Sequence, residues 1–336
     1  MLSYIFIVQG FIHQYNMRSA GFLLLFISLS IQLYESRNTP TGDTPLFPTG
    51  NTPTDDIPDR LKVTARSCRE LRKKHGKTKD GLYYLLSINN EIYQTYCDMT
   101  TDGGGWTLVA SVHENNIKGK CTAGDRWTSQ QGNDANCAAG DETWANKVIF
   151  GTPEAATYDD YKNPGYFDIR GKDIAVWHVT NDYEVRFWKV ASVLRYHTKT
   201  NFLTLFGGNL YNLFKKHTLK YGAGACSTDK GISIPIVYDV GNEMSTTELY
   251  GQSVRGDFDP GYVTFRVFNS FTEAFAMCSG VRPKGCFAQY YCIGGGGYFP
   301  YTFCTDFAFL GANNGATNGY GASKDLIQAS VLIFYR

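Results

Sequence analysis

Apolar positions along this chain gather into short runs separated by glycine-, asparagine- and aspartate-rich stretches, a pattern that predicts strands rather than long helices. Three such runs lie close together, from Gly81 to Leu86, Glu91 to Asp98 and Trp106 to Val112. Asn89-Asn90 supplies turn residues between the first two, and Thr100-Thr-Asp-Gly-Gly-Gly105 precedes the third. Further strands are predicted at Ile234 to Asp239, Tyr262 to Phe268 and Ala329 to Tyr335, while Leu203 to His217 has broken helical spacing. Ahead of them, Ser67-Cys-Arg-Glu70 has capping-box spacing and Gly76 suits a helix stop, so a helix of about two turns opens the folded region. The long Gly/Asn/Asp stretches between these elements call for disulfides or bound ions to fix them.

The first part of the chain has a different pattern. Met17-Arg18 is followed by an apolar run from Gly21 to Leu33 and then by polar Glu35 and Arg37. A basic start and a short apolar core predict a signal peptide within residues 1–36, with Met17 a second candidate start. Membrane attachment follows only if that segment stays uncleaved. Residues 37–64 are rich in Thr and Pro, which disfavours helix and leaves little apolar surface to bury, so they read as a linker. The folded domain is expected over residues 65–336.

Composition narrows the function. The net charge is +1, from 32 Lys and Arg against 31 Asp and Glu, which gives no electrostatic reason to expect nucleic acid as a partner. With 35 glycines and 15% aromatic residues, a loop-rich fold with rings in its interior is expected. The nine cysteines all follow residue 67, and in a secreted chain they read as four bridges and one left over. The six histidines are scattered without a recurring partner, and no Walker loop, metalloprotease helix or Gly-x-Ser-x-Gly elbow is present, so the chain does not read as an enzyme. The stretch from Cys286 to Asp306 stands out, with three cysteines, many aromatic rings and the glycine run Gly294 to Gly297. It reads as a rigid surface loop, and no Lys-Ser/Thr follows that would make it a phosphate cradle.

The segment Asp80-Gly-Leu-Tyr-Tyr, continued by Tyr96-Cys-Asp-Met-Thr-Thr-Asp-Gly-Gly-Gly-Trp106-Thr-Leu-Val, resembles the opening of a fibrinogen C-terminal-like domain. Ser111-Val-His-Glu-Asn115, Gly124-Asp-Arg-Trp-Thr-Ser-Gln-Gln-Gly132, Asp159-Asp-Tyr-Lys-Asn-Pro-Gly-Tyr166, Cys292-Ile-Gly-Gly-Gly-Gly-Tyr-Phe-Pro300 and Val331-Leu-Ile-Phe-Tyr-Arg336 are similar to the intelectins, secreted calcium-dependent lectins that bind vicinal diols on microbial sugars. The resemblance covers about residues 66 to 336. It implies an α+β fold of small antiparallel sheets, short helices and long loops braced by disulfides and calcium. It also implies four cysteine pairs, Cys68 with Cys97, Cys121 with Cys304, Cys226 with Cys286, and Cys278 with Cys292, leaving Cys137 odd. The family's N-terminal cysteines that link subunits have no counterpart here, and His75 stands where one would fall; a homo-oligomer, if formed, is expected without that linkage.

For structural Ca²⁺ the resemblance implies side-chain oxygens from Glu114, Asn116, Asp125 and Asp160, and backbone carbonyls from His113, Gly119 and Gly124. Asn116 replaces the family's usual Asp and removes one negative charge, which weakens binding. The ligand site departs further. Where the family holds its ligand calcium, this chain has Ser270, Phe287, Gln289, Tyr290 and Tyr301, with only Asp306 retained; Tyr320 keeps one aromatic wall. Phenols are poor ligands for a hard dication. The reading is therefore a secreted glycan-binding protein with structural calcium and an altered ligand-calcium site. The alternative is a secreted interaction scaffold that has lost calcium-dependent glycan binding. The aromatic surface expected around this site includes Tyr291.

Overall fold

Ser67 begins the first element as its sequence suggests. In the computed structural model, which describes residues 64–113, 126–127, 143–219, 236–241, 243–250, 258–268, 274–284, 288, 291–295 and 324–336, its hydroxyl accepts the Glu70 N–H at 3.2 Å and starts helix α1 (Cys68–His75). Glu70 reaches back to the Arg66 N–H at 2.7 Å, one residue before the usual capping-box partner. Gly76, at φ 63°, ends the helix in the left-handed region.

Strands β1 (Gly81–Leu86) and β2 (Ile92–Asp98) form a hairpin in which Gly81 faces Cys97 and Leu86 faces Ile92. Asn90 takes φ 64° in the turn, where Asn is tolerated better than most residues. Then follow β3 (Trp106–Val112), β4 (Tyr161–Lys162), α2 (Gly165–Asp168), β5 (Ile174–Thr180), α3 (Trp188–Ala191), β6 (Ser192–Thr198) and α4 (Leu210–Lys216). The remainder comprises β7 (Ile236–Gly241), α5 (Glu243–Leu249), β8 (Phe258–Phe268), β9 (Ala274–Pro283), β10 (Cys292–Gly295), α6 (Lys324–Ile327) and β11 (Ala329–Tyr335). Among the described residues these strands run in one hydrogen-bonded path, β1-β2-β3-β11-β5-β6-β7-β8-β9-β10, with β4 beside β3. Every pairing is antiparallel, so the α+β class expected from the sequence holds.

The central strands carry near-continuous apolar runs because both of their faces are covered. Along β11, Val331, Ile333 and Tyr335 enter one core cluster while Leu332 and Phe334 enter another. The alternation repeats in β5, with Ile174 and Val176 on one side and Ala175, Trp177 and Val179 on the other. One layer holds Trp127, Trp144, Tyr166, Phe214 and Phe265; the opposite layer holds Tyr96, Trp106, Trp177, Trp188 and Phe334.

Three expectations are revised. The broken helical pattern at Leu203 to His217 divides into a 3-10 turn, Phe202–Phe206, and helix α4. Gly207 and Gly208, at φ 65° and 93°, separate the two, and Asn209 caps α4 by accepting the Asn212 N–H at 2.9 Å. The glycine run does not begin as a surface loop, since Cys292–Gly295 is a strand on β9 and Cys292 to Gly294 are buried. Tyr291 is a core ring, 3% exposed and packed 5.0 Å from Phe258 and 5.9 Å from Tyr250. It belongs to an apolar cluster with Val267, Phe275 and Val281 of β8 and β9. The signal-peptide and linker assignments lie outside the described residues.

Candidate functional site

Of the residues expected to hold structural calcium, His113 and Asp160 are described and stand together. His113 follows β3 and Asp160 precedes β4, and the pairing of those two strands brings them side by side. Asp160 is buried. Its Oδ1 accepts the His113 N–H at 2.8 Å and its Oδ2 accepts the Arg126 N–H at 2.9 Å. One carboxylate therefore grips the chain on either side of residues 114–125, the segment that carries the other expected calcium residues. Glu114, Asn116, Gly119, Gly124 and Asp125 themselves lie outside the described residues.

Around this clamp sits a layer of rings and carbonyls that holds Arg126 and Trp127 in place. The Trp127 indole N–H donates to the Ser111 carbonyl at 2.7 Å, anchoring it to β3. The Trp144 indole N–H donates to the Trp127 carbonyl at 3.3 Å, and the two ring centroids are 4.4 Å apart. The Thr143 hydroxyl donates to the Arg126 carbonyl. Lys162 is buried, and its ammonium donates to the carbonyls of Thr143 and Asn146 and lies 4.7 Å from the Tyr166 ring centroid. A buried ammonium is tolerable only with such partners. Burial pushes the Tyr166 phenol well above its ordinary pKa, so it stays a neutral donor to the Trp144 carbonyl at 2.8 Å.

The same layer reaches the glycine run. Gly294 takes φ 63°, and a Cβ there would lie 2.6 Å from Cζ2 and Nε1 of Trp144. Cys292, two residues earlier, is bonded to Cys278 directly across the β9–β10 ladder. At the other end of the domain a disulfide joins Cys68 of α1 to Cys97 of β2. The other two expected pairs, Cys121 with Cys304 and Cys226 with Cys286, lie outside the described residues, as does Cys137. So do all the expected ligand-site residues, Ser270, Phe287, Gln289, Tyr290, Tyr301, Asp306 and Tyr320.

Sequence reasoning did not single out Trp127, Trp144 or Lys162. Their roles depend on contacts with residues distant in the chain, and the only local signal was a tryptophan within each of two polar stretches. Among the described residues no three His, Cys, Asp or Glu side chains gather as a metal site. The donor set expected for calcium fits a hard cation, because Glu114, Asn116 and Asp125 are oxygen donors and Asp160 is held in position by backbone N–H groups.

Residues 64–145 match the family model for the C-terminal globular domain of fibrinogen beta and gamma chains. The chain is 28% identical over 78 residues to the fibrinogen beta chain of Petromyzon marinus and 37% identical over 62 residues to angiopoietin-2 of Rattus norvegicus. Those matches cover 23% and 18% of this chain but 16% and 12% of the relatives, so the chain spans less than a fifth of the curated relatives it matches. Among solved structures, the fibrinogen-like globe domain of human ANGPTL6 aligns over 82% of this chain and 96% of its own, at 14% identity and a TM-score of 0.31. That of human ANGPTL2 aligns over 81% and 99%, at 12% identity and a TM-score of 0.32. The matched family is not enzymatic, and its domains commonly bind calcium and, when disulfide-bonded, are typically extracellular. The finer likeness to intelectins has no counterpart in these matches.

Proposed function

We propose that this protein is an extracellular carbohydrate-binding protein built on a fibrinogen-related frame, with structural calcium in the segment 114–125 and a ligand site that no longer depends on calcium. The observation that carries this reading is the Asp160 clamp. A single buried carboxylate fixes both flanks of a segment that carries the oxygen donors Glu114, Asn116 and Asp125, an arrangement suited to organising a loop around a hard cation. The clamp holds Arg126 beside Trp127, whose ring packs on Trp144, and Trp144 in turn meets Gly294, so the flank of segment 114–125 and strand β10 have a common support.

In this reading Glu114, Asn116, Asp125 and Asp160 supply side-chain oxygens and His113, Gly119 and Gly124 supply carbonyls. Recognition falls to Tyr290, Tyr301 and Tyr320, whose phenol rings stack on sugar faces, with Gln289 and Asp306 as hydrogen-bonding groups. The segment 1–36 acts as a secretion signal. The partners are glycans, those of microbial surfaces foremost, with no nucleic acid.

Glycan-array binding by the purified protein, with and without EDTA, tests the reading. Binding that survives EDTA and falls in Tyr290→Ala supports it. Binding abolished by EDTA but restored by calcium with glycerol-sensitive competition would return the site to calcium chelation of a diol. The replacement of hard donors by Phe287, Gln289, Tyr290 and Tyr301 favours one second reading, an interaction scaffold. An empty glycan array together with a stoichiometric protein partner that resists sugar competition would select it.

A further inference from the structure

A cleft of about 380 Å³ opens between α1, the turn before β3 and the start of β5, and none of its lining residues belongs to the expected calcium or ligand sites. Its wall is strongly basic in a chain whose net charge is only +1. Arg69, Arg72 and Lys73 enter from α1, Lys172 from the residues before β5, and Arg336 from the end of β11; Asp173 is the one acidic side chain in the lining.

Most of this charge is not spent inside the protein. Arg69, Lys73 and Lys172 have no side-chain partner among the described residues, although ion pairs hold Lys74, Lys189 and Lys199 nearby. Arg72 uses its Nε on the Gly103 carbonyl at 2.7 Å, a bond that does not occupy its two terminal nitrogens. Arg336 is fixed on one side by Asp102, at 2.8 Å, and lies 4.2 Å over the Trp106 ring. Asp173 is turned to structural use, with Oδ1 accepting the Thr198 hydroxyl at 2.8 Å and the Asn201 N–H at 2.9 Å.

The backbone is shaped to bring these cations together. Gly105 sits at φ 86°, and a Cβ there would lie 2.9 Å from the Arg69 Cα, so its absence lets α1 close against the turn. Gly103 and Gly104, also at positive φ, line the cleft; a Cβ on Gly103 would meet nothing within 4 Å, whereas one on Gly104 would run into the Met99 carbonyl. Like charges converging on one concavity repel unless a counter-ion joins them, and guanidinium groups match the oxygens of tetrahedral oxyanions.

We propose that this cleft is a binding site for a single sulfate or phosphate group, whether free or as the monoester of a small carrier. Its volume is enough for one such group with part of its carrier. Arg69, Arg72 and Lys172 are the recognising residues. The site is independent of the glycan reading above.

Calorimetry and heteronuclear NMR titrations in low-salt buffer, with inorganic sulfate, inorganic phosphate, glucose 6-phosphate and N-acetylglucosamine 6-sulfate as probes, test it. Saturable binding that perturbs Gly103 to Gly105 and weakens about tenfold in Arg69→Gln and again in Lys172→Gln is expected. Thermal stability should stay unchanged in both variants, and Arg186→Gln, on a distant surface pair with Glu184, should bind as the parent does. Equal affinity for ion and ester assigns the site to the oxyanion alone; tighter ester binding adds the carrier. No saturable binding, or binding indifferent to both substitutions, would overturn the proposal.

Discussion

Gly294 and Trp144 occupy the same space in the sense that only one of them has room for a side chain: an added Cβ at residue 294 would stand 2.6 Å from the indole. The contact joins strand β10 to the ring that Trp127 rests on, and so links two segments that are 150 residues apart in sequence. Gly294→Ala adds both overpacking and the strain of a side chain at φ 63°. A loss of about 2–4 kcal/mol in urea unfolding is expected. Combined with Trp144→Phe, which shortens the ring, the cost should be less than additive. Strict additivity would show that the contact is not made.

Asp160→Asn keeps the shape of the clamp and replaces one acceptor by a donor. Whichever way the amide turns, an N–H of His113 or Arg126 then meets an NH₂ group in a buried place. The expected cost is roughly 1–3 kcal/mol in calcium-free buffer, from an unsatisfied buried donor. On the proposed calcium reading, calcium should raise the melting temperature of the parent, and the same variant should lose most of that rise. A variant as stable as the parent and equally responsive to calcium would remove the clamp from the account.

The sequence made some of this legible and concealed the rest for physical reasons. β1, β3 and β11 could be bounded to the residue because Gly81, Trp106 and Ala329 each start a dense apolar run after turn-forming or polar residues. β9 was missed because Ser279 and Gly280 interrupt its apolar run, and β6 because Arg195 and His197 make it look solvated. In the fold β9 is nearly all buried, and Gly280 at φ 84° is where it accommodates Thr246 of α5. β5 shows no alternation because both its faces are packed. At the candidate site, Asp160 could be named from its motif, whereas Trp144 acquires its role only from Gly294 and Trp127, which no local pattern connects to it.

Lys189 is expected to be the costliest surface-adjacent residue to lose. Its ammonium lies 2.7 Å from Oδ1 of Asp98, whose side chain is fully buried, and it also bonds Asp80 and Thr100. Burial raises the Asp98 pKa, but the Lys189 ammonium and the Thr100 and Thr101 N–H groups outweigh it and hold the carboxyl below its ordinary value. Lys189→Ala leaves that carboxylate buried without its counter-charge, a loss on the order of 3 kcal/mol at neutral pH. A depressed carboxyl contributes stability above its unfolded pKa of about 4 and loses it as pH falls through the folded value. The gap between parent and variant should therefore narrow below about pH 4. A gap independent of pH would assign the loss to packing on Trp177 instead.

His178 gives the fold a pH dependence of its own. It lies on β5, buried, with Nε2 2.7 Å from the Ser279 hydroxyl, which also meets the Tyr196 hydroxyl at 2.6 Å. Its Nδ1 has no partner among the described residues. Burial lowers its pKa from the usual 6.5 to about 3, so the folded protein keeps the ring neutral while the unfolded chain takes up a proton. Between those two values the unfolded state binds more protons, and stability rises with pH. The contribution is complete above about pH 6.5 and is lost at about 1.4 kcal/mol per unit as the solution is acidified. His178→Gln keeps a hydrogen-bonding group for Ser279 and cannot titrate. Its unfolding free energy, measured from pH 7 down to pH 4.5, should fall less steeply than the parent's by that amount. Parallel curves would mean that His178 is protonated, or is reached by water, in the folded state.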